Sequence, residues 1–351
     1  MTGKHTTPLL AVGALFLLWG VVGLFDMGNI PYSGYLTGPD NTVIEVDEGS
    51  PADAAGLRVG DRVTSINGVS VEDTPALNRM PRAQIGETRT LVVEEAAETT
   101  LAAGEEGPAT REVGITFAAQ PGKYVALTWA GFIIGLCFLG FGLLAYVKAP
   151  SRSALLLAIT GLCLGGAFLG GPYIASYALR TIIGTFFLML VLLGFATLLH
   201  CLMEFPMAKA MLGKAHITKV LYAPAVLMAL FFLWLIIFEP RGTSTLNSVA
   251  TVLVGIFIVG YFGLALVALI HSFVKATPDE RSKYGLNLML AGVLIGLLPV
   301  TISALVTTFA PSVILPGSDF FFLTMVLIPI TMALAVMRAG AAPAAEPVPV
   351  M

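Results

Sequence analysis

Runs of about 20 apolar residues, the length that carries a helix across roughly 30 Å of hydrocarbon, recur near residues 9–25, 124–147, 153–175, 180–203, 217–238, 246–270, 286–309 and 318–337. All of them read as helices, because hydrocarbon offers no partner to an unpaired backbone group. Residues 30–118 break the pattern. There the apolar positions come in short runs, and Thr42 to Val46, Asp61 to Ile66, Val69 to Val71, Thr88 to Val93 and Glu112 to Phe117 read as extended segments. Pro51 to Ala55 reads as a helical turn stopped by Gly56, and Asn67-Gly68 as a tight hairpin turn. Asp73 or Thr74 caps a second short helix, with Pro75 early in it and an end near Arg79, before Pro81. The expected architecture is an α-helical polytopic membrane protein of about eight transmembrane helices, with one small α+β domain inserted after the first.

Composition agrees with that reading. Of 351 residues, 56% are hydrophobic and only 12% charged, against about 25% charged in soluble domains. The first apolar run follows Lys4 and His5, and no small-x-small cleavage site intervenes before Asp26, so residues 1–29 read as an uncleaved anchor. Cys137, Cys163 and Cys201 all fall in or at the end of apolar runs, which leaves no disulfide framework or zinc spacing to assemble. With the amino terminus inside, the inner side carries Lys4, Lys148, Arg152, Lys209, Lys214, Lys219, Lys275, Arg281, Lys283 and Arg338, and the short outer loops carry Arg180 and Arg241. That bias places both termini in the cytoplasm and the polar domain outside it, in the periplasm or its equivalent. Between Asp26 and Lys123 stand 16 acidic and 7 basic residues, a balance of −9. Such a surface disfavours nucleic acid as a partner. After Arg338 the chain turns Ala- and Pro-rich, and residues 339–351 are expected to be a disordered tail.

The stretch Ser50-Pro51-Ala52 through Ala55-Gly56-Leu57, then Gly60-Asp61-Arg62-Val63 and Ile66-Asn67-Gly68, resembles the signature of bacterial PDZ domains. The resemblance covers residues 30–118. It implies a groove between an edge strand and the second helix, in which an extended peptide or protein segment adds as a further strand. It also implies that Gly34, Tyr35, Leu36 and Thr37 form the loop and strand that meet the peptide, with Leu77 and Asn78 on the helix lining the groove. Thr37 departs from the family by standing where a glycine is common. The alternative role for the domain is a structural cap on the outer helix ends.

The helical region 119–338 adds further signals. Thr277-Pro278-Asp279-Glu280 forms a capping box with Pro at the first helical position, which predicts a helix that starts at the interface and runs straight into the membrane. Gly161, Gly165, Gly166, Gly170 and Gly171 suit close helix packing, and Pro299 and Pro329 are expected to kink their helices. The His200 to Pro206 segment, the Arg281 turn and Ile328-Pro329-Ile330 resemble the seven-helix sensor region of competence-type bacterial histidine kinases, here without the kinase. Output is then expected to pass to a separate membrane or cytoplasmic protein.

Catalytic signatures are sparse. No His-Glu-x-x-His motif occurs, and His5, His200, His216 and His271 lie too far apart in sequence to form one. Ser176 and Ser303 have no histidine at similar depth. His200 and Glu204, at i and i+4, read as an interfacial pair reaching toward water. Arg180, Glu239, Arg241 and Asp319 all fall at outer helix ends, which argues against an ion pathway. Phosphate-binding loops are absent, and no metal or cofactor is expected. The function expected is a non-enzymatic sensor or adaptor that binds a peptide or protein segment. A structural subunit of a larger membrane assembly is the alternative, with an intramembrane hydrolase a weaker one.

Overall fold

The computed structural model describes residues 5–38, 40–96, 109–238, 245–309, 315 and 317–341. Helix α1 (Thr6–Asp26) leads into a small mixed domain, and the chain then continues through α4 (Gly122–Lys148), α5 (Arg152–Phe168), α6 (Tyr177–Glu204), α7 (Ala215–Phe238) and α8 (Thr245–Lys275). The short α9 (Pro278–Lys283), α10 (Leu286–Phe309), a 3-10 stretch (Ser318–Val326) and α11 (Leu327–Ala341) complete it. Among the described residues, seven helices are long and apolar enough to cross a membrane.

The bundle is organised around α5, whose residues from Ala154 to Gly166 are almost all buried between α4 and α6. Glycine makes that packing close. A Cβ on Gly161 would stand 2.3 Å from the Phe138 carbonyl oxygen, and one on Gly165 would stand 2.8 Å from the Gly135 carbonyl oxygen. Small residues facing each other let the two backbones touch, which is how apolar helices associate in a solvent as apolar as themselves. Helix α1 joins by the same means, since its buried residues are Gly13, Gly20 and Gly23, and a Cβ on Gly23 would meet the Gly171 backbone at 2.6 Å.

Four expectations change. The run at 153–175 was expected as one span, but its helix ends at Phe168 after 17 residues. Gly170 adopts a positive φ of 75° and Pro172 follows, so apolar composition continues where helical geometry cannot. The capping box at Thr277 forms as expected, with the Thr277 N–H donating to Glu280 Oε2 at 2.8 Å. Its helix, however, stops at Lys283, and Gly285 with φ 64° separates it from α10. Pro329 sits in the first turn of α11, directly after the 3-10 stretch, where proline is accommodated without kinking a continuous helix. Pro299 lies inside α10, and Pro224 lies inside α7. Helix α11 continues past Arg338 to Ala341, and residues 342–351 lie outside the described residues.

The polar domain comprises β1 (Pro31–Tyr32), β2 (Tyr35–Thr37), β3 (Val43–Val46), α2 (Pro51–Ala54), β4 (Arg62–Ile66), β5 (Val69–Ser70), α3 (Thr74–Arg79), β6 (Thr88–Glu94), β7 (Thr110–Thr116) and β8 (Ala118–Ala119). An antiparallel sheet runs in the order β5-β4-β6-β7, β2 pairs with β3, and β1 pairs with β8. A bridge between Thr42 and Arg62 links β3 to β4. Alternation puts Leu91, Val93, Val113 and Ile115 on one face, and these close with Val43, Ala52, Leu57 and Val63 into one buried core. The local signals act as their chemistry requires: Ser50 caps α2 by accepting from the Asp53 N–H, Asp73 caps α3 by accepting from the Ala76 N–H, and Asn67-Gly68 turns β4 into β5 with both residues at positive φ. The acidic hairpin stretch 97–108 lies outside the described residues.

Candidate peptide-binding edge and its seat on the bundle

Strand β2 has β3 as its one neighbour among the described residues, so its other side is an edge. The Asp47 N–H donates to the Gly34 carbonyl at 2.8 Å, which makes Tyr35 and Val46 a pair that do not hydrogen-bond to each other. In such a pair the backbone N–H and C=O point away from the partner strand. Tyr35 therefore presents both groups to the open side. Its ring packs on the domain core, and burial pushes its phenol above the usual value, with the charge of Arg89 opposing. Leu36 points out of the domain and is 54% exposed.

Gly34 fixes the start of this edge. Its φ is 80°, and a Cβ there would lie 2.1 Å from the Cβ of Ser50, the buried cap of α2. Ser50 Oγ in turn donates to the Gly34 carbonyl at 3.3 Å. Thr37 is extended and needs no glycine, so the departure from the family pattern carries no backbone strain here.

Helix α3 packs against β5 and carries Leu77, which is half-buried. Asn78 lies on the same helix, and its side chain falls outside the described residues. Tyr35, Leu36 and Thr37 are thus brought together in one strand, with Gly34 directly before it. Leu77 and Asn78 belong to a separate element, joined to β2 through the body of the domain.

The domain is tied to the long apolar helices at two points, a feature sequence reasoning missed. Asp47, directly after β3, accepts from the Tyr32 phenol at 2.5 Å and from the Tyr124 phenol, in the first turn of α4, at 2.6 Å. The two rings are 5.3 Å apart. Hydrogen bonds from Tyr124 and Tyr32 hold the Asp47 carboxyl below its usual range, and burial together with Asp47 raises the Tyr32 phenol. On the other side, the loop after α3 meets the α5–α6 connection. The Tyr173 phenol donates to the Ala83 carbonyl at 2.9 Å, the Tyr173 N–H donates to Asp26 Oδ2 at 2.6 Å, and the Arg82 guanidinium lies 4.5 Å from the Tyr173 ring centre. The sequence supplies the residue types, but nothing in it says which of nine tyrosines meets which carboxylate.

Inside the bundle, His200 is 5% exposed, with Nδ1 3.1 Å from the Tyr222 hydroxyl, and Glu204 Oε1 lies 3.6 Å from Arg152 Nε. The pair was expected to reach toward water. His200 is buried instead, against Tyr222 of α7, while Glu204 keeps part of its side chain exposed and pairs with the exposed Arg152 at the start of α5. Ser176 caps α6 by accepting from the Leu179 N–H at 3.4 Å. Arg180 lies on α6 one turn from its start, while Glu239, Arg241 and the Asp319 side chain fall outside the described residues.

A PDZ domain family model matches residues 42–95. The Na(+)/H(+) exchange regulatory cofactor NHE-RF2 of Oryctolagus cuniculus is 45% identical over 58 residues, which is 16% of this chain and 18% of that protein. The chain thus spans less than a fifth of that relative's length, and no solved structure matches it. The matched segment begins at Thr42, so the placement of β2 beside it rests on the strand pairing described above. Residues 42–95 are a PDZ domain, carried behind the first helix of a chain with several helices apolar enough to cross a membrane.

Proposed function

We propose that this protein is a non-enzymatic adaptor or sensor of the bacterial inner membrane, whose PDZ domain stands outside the cytoplasm and captures an extended peptide or protein segment along β2. The open edge of β2 carries the reading: Tyr35 turns its N–H and C=O outward, Leu36 is exposed beside them, and added strands bind through such groups. The family match supports peptide or protein binding, and the relative's name, a regulatory cofactor, fits an adaptor. The ten basic residues on the inner side against two on the outer side support the placement. The ties through Asp47 and Tyr173 give the captured segment a route to the helices, and a separate protein receives the output.

The test is capture of partners from native membranes by the full-length protein, in parallel with L36D, L77D and a deletion of residues 30–118. Loss of the same partner in all three, with membrane insertion intact, supports the edge. Capture that survives both L36D and L77D sinks the groove, and capture that survives the deletion moves function to the bundle.

A further inference from the structure

A crevice of about 570 Å³ opens between the domain-side halves of α1 and α6, a volume within the range of ligand pockets. Phe16, Trp19 and Val22 form one wall, Ile183 and Phe187 the other, and Pro172 closes the end. Its lining is hydrocarbon, stiffened by Phe187, whose ring lies 6.3 Å from both Phe16 and Trp19 and 5.5 Å from Phe186.

The rim has the opposite character. Pro172 is followed by Tyr173, which carries the Arg82 guanidinium over its ring, and Arg180 stands three residues before Ile183 on the same helix. Arg62, Arg89, Arg111 and Arg152 each have a carboxylate within 4 Å. Among the described residues, Arg82 and Arg180 have none, as is also true of Arg58, Arg79, Arg281 and Arg338, so what sets these two apart is their place beside Pro172 and Ile183. Asp26, at the end of α1, is engaged by the Tyr173 N–H and the Asn29 amide. Burial and the charge of Arg180 both lower the Arg82 pKa, as expected for two cations sharing one rim. Guanidinium groups match phosphate oxygens in geometry as well as charge.

We propose that this crevice binds one anionic phospholipid, with an acyl chain between α1 and α6 and the phosphate held by Arg82 and Arg180. The proposal rests on the reading of the chain as membrane-spanning, and is independent of peptide capture at Leu36. Ordinary annular lipid wets any apolar helix face, but an apolar face alone does not select a headgroup.

The experiment uses the full-length protein in phosphatidylcholine nanodiscs doped with phosphatidylglycerol, with retained lipids counted by native mass spectrometry. Each surface cation favours an anionic lipid by roughly fivefold. The wild type should therefore retain phosphatidylglycerol preferentially, R180Q and R82Q should each lose roughly fivefold of that preference, and the double variant should approach parity. V22W, which fills the crevice and leaves the arginines intact, should release the lipid. Because R180Q lies outside the domain, its effect is separable from any disturbance of PDZ seating by R82Q. Parity in the wild type, or a preference unchanged in the double variant, would leave annular lipid only and overturn the proposal. Binding of inorganic phosphate at the two arginines with no lipid retained in the crevice would also overturn it, reducing the site to an anion contact.

Discussion

Replacing Asp47 with alanine should loosen the PDZ domain from the bundle while leaving both folded. Two phenols donate to one carboxylate oxygen, at 2.5 and 2.6 Å, one from β1 and one from the head of α4. A hydrogen bond to a charged acceptor contributes about 1.5–3 kcal/mol when buried. The groups here are partly exposed, so about 1 kcal/mol each is the fair value after solvent screening. Losing both shifts the local opening equilibrium by about 2 kcal/mol, a factor of about 30. The assay is hydrogen exchange on the full-length protein in nanodiscs, read at the amides of Tyr32 in β1 and of Ala118 and Ala119 in β8, strands that pair across the root of the domain. Y124F removes one of the two bonds and should show about fivefold faster exchange, a 1 kcal/mol effect. Because the Asp47 pKa is depressed in the folded state, its contribution is complete above the usual carboxylate value of 3.8 and is lost only as pH falls through the lower folded value. Tyr32 is raised, so its contribution is complete below 10.0 and is lost only as pH rises through the higher folded value. Opening in the wild type, corrected for intrinsic exchange, should then be flat between about pH 5 and 9. Unchanged exchange in D47A, or a titration inside that window, would refute the reasoning.

Three further outcomes follow from the packing. Asp61 is 2% exposed, and Arg111 and the Arg58 N–H are its partners, so R111A should strand a buried carboxylate and destabilise the domain by about 3 kcal/mol, read as earlier proteolysis of residues 30–118 in the intact chain. G161L drives a side chain into the Phe138 carbonyl and should cost about 2–3 kcal/mol in thermal unfolding of the bundle, whereas G140L, with open space around it, should be neutral. G34A meets both the Ser50 contact and a positive φ, and should abolish partner capture while the β4–β7 sheet keeps its exchange protection.

Much of the domain was readable because its signals are local. Ser50-Pro51, Asp73 and Asn67-Gly68 each determine the geometry of the next few residues, and alternation in β6 and β7 sorts core from surface without reference to anything distant. Helix existence in the bundle was readable for the same reason, since apolar length alone requires it. Helix ends were not. Hydrophobicity continues through Leu169 to Pro172 although the backbone turns at Gly170, and the break at Gly285 is a φ angle that composition does not reveal. The seat of the domain was the least accessible feature. Tyr32 and Asp47 are 15 residues apart, Asp47 and Tyr124 are 77 apart, and Ala83 and Tyr173 are 90 apart, so only folding brings them together. His200 shows the same limit: one turn of helix gave its neighbour Glu204, but Tyr222 and Arg152 arrive from other helices.

The most direct test of peptide capture on β2 is photocrosslinking in native membranes, with a benzophenone amino acid placed in turn at Leu36, Leu77 and Val59. Leu36 and Val59 are comparably exposed, at 54% and 61%, but Val59 lies away from the edge, between α2 and β4. Adducts to one partner segment from Leu36 and Leu77, with none from Val59, are the predicted result. Equal labelling from all three positions, or labelling from Val59 alone, would contradict capture along this edge.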